Sequence, residues 1–123
     1  MQKIYGTIRK LGAISTYRGF PFLADAIYAK MYQQGRPLKV TKDIYPYLAK
    51  KYETTAMNVE HSIRIVINAC WTKNKDGFEE IAGYPLNHKP TNSEFIDMVA
   101  YYLCCHKMQW RNIKTFLRIG SNE

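Results

Sequence analysis

The sequence predicts an all-α fold: a compact bundle of about six helices that contains a helix-turn-helix, followed by a C-terminal amphipathic helix. Apolar residues recur at the three- and four-residue spacing of amphipathic helices, and few runs alternate as a half-buried strand requires. With 46% hydrophobic and 14% aromatic residues among 123, the chain can bury a core of its own. Because no internal repeat or linker-like stretch interrupts it, we expect one domain over residues 1–105 and an extension over residues 106–123.

The first two helices are predicted from apolar stripes that end at glycines. One helix runs from Gln2 to Leu11 and is closed by Gly12. Its stripe consists of Ile4, Ile8 and Leu11. The second runs from Phe20 to Gln33, before Gly35 and Pro37 end the pattern. Its stripe consists of Leu23, Ile27 and Met31.

The next two helices are separated by a very short turn, which predicts a helix-turn-helix. Thr41 or Asp43 can cap the first of them. We expect its inward residues to be Ile44, Tyr47, Leu48 and Tyr52. After the turn Glu53-Thr54, Thr55 caps a long helix from Ala56 to about Thr72.

The following stretch begins with a turn composition over Asn74 to Gly77, and a short segment from Phe78 to Ala82 comes next. Thr91-Asn92-Ser93-Glu94 is a capping box, in which Thr91 and Glu94 satisfy each other's backbone amides. It opens a helix whose apolar side consists of Phe95, Ile96, Val99, Tyr102 and Leu103.

The tail from His106 to Glu123 is predicted to form a basic amphipathic helix as far as Gly120. Trp110, Ile113 and Leu117 share one face, with Phe116 at its edge. The basic residues are Lys107, Arg111, Lys114 and Arg118. A helix with such a stripe has to bury it, either against its own domain, which we favour, or against a second copy of the chain.

Charge is distributed unevenly along the chain, which carries a net +8. Residues 1–75 hold 13 bases and 4 acids, residues 76–106 hold 1 base and 5 acids, and residues 107–123 hold 4 bases and 1 acid. A basic half is typical of proteins that bind a polyanion, because each Lys or Arg placed on a phosphate releases a condensed counterion. The alternative is a basic protein with scattered solvated lysines.

Several classes of protein are disfavoured by what the sequence lacks. No apolar run approaches the length that spans a bilayer, and the N-terminus has no secretory signal, so we expect a soluble intracellular protein without a membrane partner. Cys70, Cys104 and Cys105 fit neither a disulfide framework nor, with the histidines, a metal site. No partnered nucleophile or phosphate-binding glycine loop is present, so we expect no catalytic residue and no cofactor.

The helix from Ala56 has an apolar face and an opposite face that can meet DNA bases. The core face consists of Val59, Ile63, Val66 and Cys70. The outer stripe consists of Met57, His61, Arg64 and Asn68, with Asn58 and Glu60 beside it. Arginine can pair with guanine, glutamate can accept from cytosine and asparagine can pair with adenine. An ordinary solvated helix with a Glu60–Arg64 ion pair is the competing interpretation.

Phosphate contacts are expected around the start of this helix, where backbone amides and short polar or basic side chains cluster. The candidates are Lys42, Lys50, Lys51, Thr54 and Thr55.

Residues 11–103 resemble a known family, the C-terminal DNA-binding effector domain of the bacterial sporulation master response regulator. The resemblance is carried by Leu11-Gly12, Tyr45-Pro46, Ala49-Lys50-Lys51-Tyr52, Thr54-Thr55-Ala56, Val59-Glu60, Ile63-Arg64, Trp71, Gly83-Tyr84 and the run Lys89-Pro90-Thr91-Asn92-Ser93-Glu94-Phe95-Ile96. It implies an all-α transcription regulator that recognises a TGTCGAA-type box in double-stranded DNA, commonly as a tandem homodimer. It also implies a cytoplasmic, nucleoid-associated location.

The resemblance also assigns residues. The family's base-reading Glu and Arg match Glu60 and Arg64, and a second family Arg corresponds to His61. The segment Asn74 to Tyr84 matches the family's region for contacting the RNA polymerase sigma subunit. Its candidate contacts are Phe78, Glu79, Glu80 and Tyr84.

The family's phosphoacceptor receiver domain has no counterpart before Leu11, so the sequence is expected to be an excised domain or a receiver-free relative. The basic tail with Trp110 favours the relative. His61, the acidic block and the tail also support an alternative function: an interaction module that binds RNA polymerase or the full-length regulator and antagonises it.

Overall fold

The computed structural model describes residues 1–33 and 35–105, and these residues form helices and turns without a strand. The predicted all-α class is confirmed. Helix α1 spans Gln2–Lys10 and α2 spans Gly19–Met31. The predicted helix over the tail lies outside the described residues.

Helix α3 spans Tyr45–Lys51 and is preceded by a π-helical turn over Val40–Ile44. The wide turn ends two residues before Pro46, which has no N–H to donate to the carbonyl one turn earlier. Neither predicted cap was right, because the residue before the turn is Lys39 and no side chain caps it. Asp43 lies inside the turn, and its carboxylate accepts from the Lys39 N–H at 2.7 Å.

The same carboxylate forms a bidentate pair with Arg36, with distances of 3.0 and 2.8 Å. Arg36 and the Lys39 amide lower the pKa of Asp43 to about 2. The start of the helix-turn-helix is therefore stabilised by a carboxylate that stays ionised throughout the neutral range.

The inward face of α3 differs from the prediction. Ile44, Tyr45 and Leu48 are buried, whereas Tyr47 is 57% and Tyr52 36% exposed. Tyr52 follows Ile44 and Leu48 at the helical spacing, but α3 ends at Lys51 and Tyr52 lies in the turn after it. Its ring meets Phe22 edge-on at 4.9 Å between centroids.

Helix α4 spans Ala56–Lys73 and α5 spans Lys75–Ala82, so only Asn74 separates them. The predicted turn over Asn74 to Gly77 is wrong, because Asn74 caps α5 by accepting from the Gly77 N–H at 2.9 Å. Asn and Asp are favoured both in turns and at helix caps, because their side chains hydrogen-bond to the neighbouring backbone. Composition therefore does not distinguish a turn from the capped start of a helix. Gly83, with φ 84°, ends α5.

Residues 92–105 form helix α6, which opens with the predicted capping box. The Thr91 N–H donates to Glu94 Oε1 at 2.9 Å, and the Glu94 N–H donates to Thr91 Oγ1 at 3.2 Å. Thr91 therefore lowers the pKa of Glu94. The box is confirmed in both directions.

The core lies where α2 crosses α4, with α1, α3, α5 and α6 around them. The predicted α4 core face is fully buried, at Val59, Ile63, Val66 and Cys70. Among the described residues, none of the helices has the length and apolarity that crossing a membrane would take.

Candidate nucleic-acid interface

Helices α3 and α4 are joined by four residues, Tyr52 to Thr55. Two backbone bonds close the end of α3: Thr54 N–H donates to the Ala49 carbonyl at 2.8 Å, and Glu53 N–H donates to the Lys50 carbonyl at 3.4 Å. This pair of bonds defines a Schellman motif, which requires a left-handed residue. Glu53 takes that conformation with φ 53°. The turn is thus built as in glycine-containing helix-turn-helix motifs, but with a side chain in the glycine position.

We expect Glu53→Gly to raise the free energy of unfolding by about 0.5–1 kcal/mol, because relief of left-handed strain outweighs the extra entropy of a glycine in the unfolded chain. Urea denaturation would measure it. Glu53→Ala is the control, since alanine keeps the Cβ that causes the strain. An equal gain from both variants would show that the charge of Glu53, and not its backbone, is unfavourable.

The first turn of α4 is held by two threonines of the connecting turn. Thr55 Oγ1 accepts from the Asn58 N–H at 3.1 Å, and Thr54 Oγ1 accepts from the Asn58 side-chain amide at 3.1 Å. The predicted cap at Thr55 is confirmed. Both hydroxyls act here as acceptors, and a hydroxyl that accepts still has its own hydrogen to donate.

The outer face of α4 carries the residues singled out as base contacts. Met57 is 78% exposed, and the His61, Arg64 and Asn68 side chains are also exposed. Glu60 lies at the edge of this face and is half-buried. The apolar and polar faces of the helix are therefore disposed as the spacing predicted.

Three of these side chains are linked to one another. The Arg64 Nη1 lies 3.4 Å from Glu60 Oε1, and Arg64 Nη2 lies 3.2 Å from His61 Nδ1. Because a guanidinium has donors only, this contact is a hydrogen bond in the tautomer that leaves the facing nitrogen of His61 as an acceptor. In exposed positions such links add little stability, but they hold the guanidinium between a carboxylate and an imidazole.

Asn68, one turn further along, is linked to a residue that the sequence did not suggest. Lys89 Nζ, from the loop before α6, donates to Asn68 Oδ1. Lys89 is the only base among residues 76–106, an otherwise acidic stretch. Its isolation in such a stretch was the one feature of the sequence that could have marked Lys89 as a candidate site residue. The link places a cation beside the outer face of α4.

The basic phosphate candidates differ in their surroundings. Lys42, in the π-helical turn, and Lys50, in α3, are exposed. Lys51 Nζ instead pairs with Asp25 Oδ2 of α2 at 2.8 Å. The Tyr52 hydroxyl donates to the same oxygen at 2.6 Å. Burial and this carboxylate raise the pKa of Tyr52 to about 12.

A buried amide holds the middle of the site together. Asn92, 8% exposed, donates from Nδ2 to the Glu60 carbonyl at 2.9 Å and to the Tyr45 hydroxyl at 3.1 Å. It therefore joins α3, α4 and α6 directly behind Glu60. The sequence marked Asn92 only as a member of the capping box, and no local signal indicates a partner so far away.

A comparison with protein families shows to which family the chain belongs. The family model described as Sporulation initiation factor Spo0A C terminal matches residues 4–103, which run from α1 almost to the end of the described part of α6. The chain belongs to this family. It is thus a helical, DNA-binding effector domain of the sporulation-regulator type, and the resemblance indicated by its motifs is confirmed.

In this Spo0A C-terminal domain, the candidate sigma contacts around α5 have very different exposure. Phe78 is fully buried, with its ring centroid 5.3 Å from that of Trp71 and 5.1 Å from that of Phe95. Its side chain is therefore part of the core and is not presented to a partner. The half-buried Glu79 accepts from the Leu86 N–H at 2.7 Å, while Glu80 and Tyr84 are exposed.

The Spo0A C-terminal family is a regulatory DNA-binding family and not a family of enzymes. In the part of the chain that the structure describes, no group of three or more His, Cys, Asp or Glu residues could hold a metal ion. Burial raises the pKa of the Cys70 thiol to about 11, which makes its reactive thiolate scarce at neutral pH.

Proposed function

We propose that this Spo0A C-terminal domain binds double-stranded DNA sequence-specifically, with α4 in the major groove of a TGTCGAA-type box. The observation that carries the proposal is the linked trio of Glu60, His61 and Arg64 on the exposed face of the second helix of a helix-turn-helix. That helix is the one that enters the major groove in such motifs. In the free protein, the Glu60 carboxylate and the His61 imidazole already contact the Arg64 guanidinium and restrict its position on this face.

Each residue then has a chemical role. Arg64 donates both of its terminal N–H groups to O6 and N7 of a guanine, and Glu60 accepts from the neighbouring cytosine amino group. His61 contacts the adjacent base. Met57, Asn58 and Asn68 line the groove beside them. The phosphates are contacted by Lys42, Lys50, Lys51, Thr54 and Thr55.

Arg64→Ala is expected to weaken binding to the box by about 1–3 kcal/mol, or about 5- to 150-fold, because it removes a bidentate base contact. Gel shifts at one stated salt concentration, with the box duplex and a scrambled duplex, would measure the loss on each. The loss should be confined to the box duplex, and preference should relax at one base position.

Lys73→Ala is the matched control. It removes one positive charge from the same helix, nine residues beyond Arg64, at the end away from the connecting turn. It should change both affinities slightly and equally. Equal losses from Arg64→Ala on both duplexes would make Arg64 a phosphate contact. No preference of the parent protein for the box would favour the interaction module over the DNA reader.

We further propose that two domains occupy adjacent boxes as a homodimer and that the bound domain regulates transcription at the nucleoid, in the bacterial cytoplasm. The RNA polymerase sigma subunit would be met by Glu80 and Tyr84. Their exposure supports this assignment, since Tyr84 is 61% exposed and Glu80, four residues earlier, is also exposed.

A further inference from the structure

A groove of about 810 Å³ lies between α1, α5 and the described end of α6, next to Asn74 at the C-terminal end of α4. Its apolar lining consists of Leu11, Ile81, Tyr102 and Leu103. Gly6 of α1 also lines it, and a Cβ added there would meet nothing within 4 Å. The groove is therefore open along α1 and apolar at its base.

We propose that this groove is the docking site of the chain's own C-terminal segment, residues 106–123. Tyr102 and Leu103 line the groove, so the segment begins within one helical turn of it. Eighteen residues remain after residue 105. As a helix they would be about 27 Å long, enough to run along a groove of this size after a reversal of the chain.

The segment's side chains match the groove in polarity. Trp110, Ile113 and Leu117 form one apolar stripe at helical spacing. Burying that stripe against the apolar base of the groove removes both surfaces from water. Without docking, the stripe would be an exposed apolar patch, which is rare on soluble monomers because it promotes aggregation.

The charges indicate which side of the docked segment faces α5. At 100° per residue, all four bases of the segment project roughly 40–100° to the same side of Trp110. These bases are Lys107, Arg111, Lys114 and Arg118. The α5 wall of the groove carries Asp76 and Glu80, whereas the α1 wall carries Lys3 and Lys10. The basic edge of the segment therefore lies along α5, with the apolar stripe beneath it.

The segment of the same chain is favoured over that of a second copy, because only a few residues connect it to the groove. A segment that starts beside its site has an effective concentration in the millimolar range, far above that of a second protein molecule in dilute solution.

Tryptophan fluorescence tests the proposal on the full chain, which has two tryptophans, Trp71 and Trp110. The difference between the spectra of the parent and Trp110→Phe reports Trp110 without altering the core. We expect this emission at shorter wavelength than that of a synthetic peptide of residues 106–123, and several-fold weaker quenching by acrylamide. Both should be independent of protein concentration.

Two groove variants, each with its own Trp110→Phe partner, locate the site. Gly6→Met places a good helix former in the open space of the groove, and Glu80→Lys reverses an exposed charge on its wall. Both should raise acrylamide quenching of Trp110 towards that of the peptide. Glu53→Lys, the same charge change in the turn before α4, should leave it unchanged. Circular dichroism verifies folding, and Glu80→Lys carries the test if Gly6→Met unfolds.

Three results would overturn the proposal. Quenching of Trp110 equal to that of the peptide would mean that the segment is undocked. Protection that increases with protein concentration would place it on a second copy. Protection that neither groove variant reduces would place it elsewhere on the domain.

Discussion

Phe78→Ala is expected to lower the free energy of unfolding by about 3–5 kcal/mol, the largest effect that we foresee for a single substitution. The ring is fully buried between those of Trp71 and Phe95, where α4, α5 and α6 meet. Its removal takes apolar atoms out of the core and leaves a cavity that three helices cannot easily close. Urea denaturation followed by circular dichroism would measure the loss.

Glu80→Ala is the matched control for this prediction, because it truncates an exposed side chain two residues along the same helix. Its effect should stay within about 0.5 kcal/mol. Loss of transcription activation in Phe78→Ala would then reflect unfolding, whereas the same loss in Glu80→Ala would indicate a lost contact of this carboxylate, either with the sigma subunit or with the C-terminal segment. An unchanged unfolding midpoint in Phe78→Ala would contradict the burial of this ring.

Gly19→Ala is expected to destabilise the domain by about 3 kcal/mol, at the upper end of the cost of overpacking. The first turn of α2 packs directly on the backbone of α4. A Cβ at Gly19 would lie 2.1 Å from the Ser62 carbonyl oxygen and 2.5 Å from its carbon. Because both contacts are with backbone, the two helices must move apart. Ser62 lies between His61 and Arg64, so affinity for the box duplex should fall as well.

Gly6→Ala is the control and should have the opposite sign. Gly6 lies in α1 with nothing within 4 Å of an added Cβ, and alanine is favoured over glycine in helices by up to about 1 kcal/mol. Thermal melts and gel shifts on both variants would separate them. A melting temperature of Gly19→Ala equal to that of the parent would show that α2 and α4 approach less closely than described.

Local patterns accounted for most of the fold. The stripes of α1 and α4 became core, as did Leu23 and Ile27 of the α2 stripe, whereas Met31 is half-buried. Thr55 became a cap, and both bonds of the Thr91–Glu94 box formed. These features depend on residues three or four apart, which a helix always brings together.

The predictions were wrong where one local composition is compatible with two structures. Asn74 to Gly77 can form either a turn or the capped start of a helix, and α3 ends at Lys51, before Tyr52 can continue its inward face.

The order of the amino acids was enough to predict the all-α class, the helix-turn-helix, the polar face with Glu60, His61 and Arg64, and the family. The packing of the helices was needed to show that Phe78 is part of the core and that Asp25 binds Lys51 and Tyr52. It was also needed to show that Lys89 contacts Asn68 and that Asn92 supports α4 from behind. The polar links in this second group join residues between 21 and 47 positions apart. Periodicity reports which face of a helix is buried, but it carries no information about which distant residue will lie opposite, because that depends on how the helices cross.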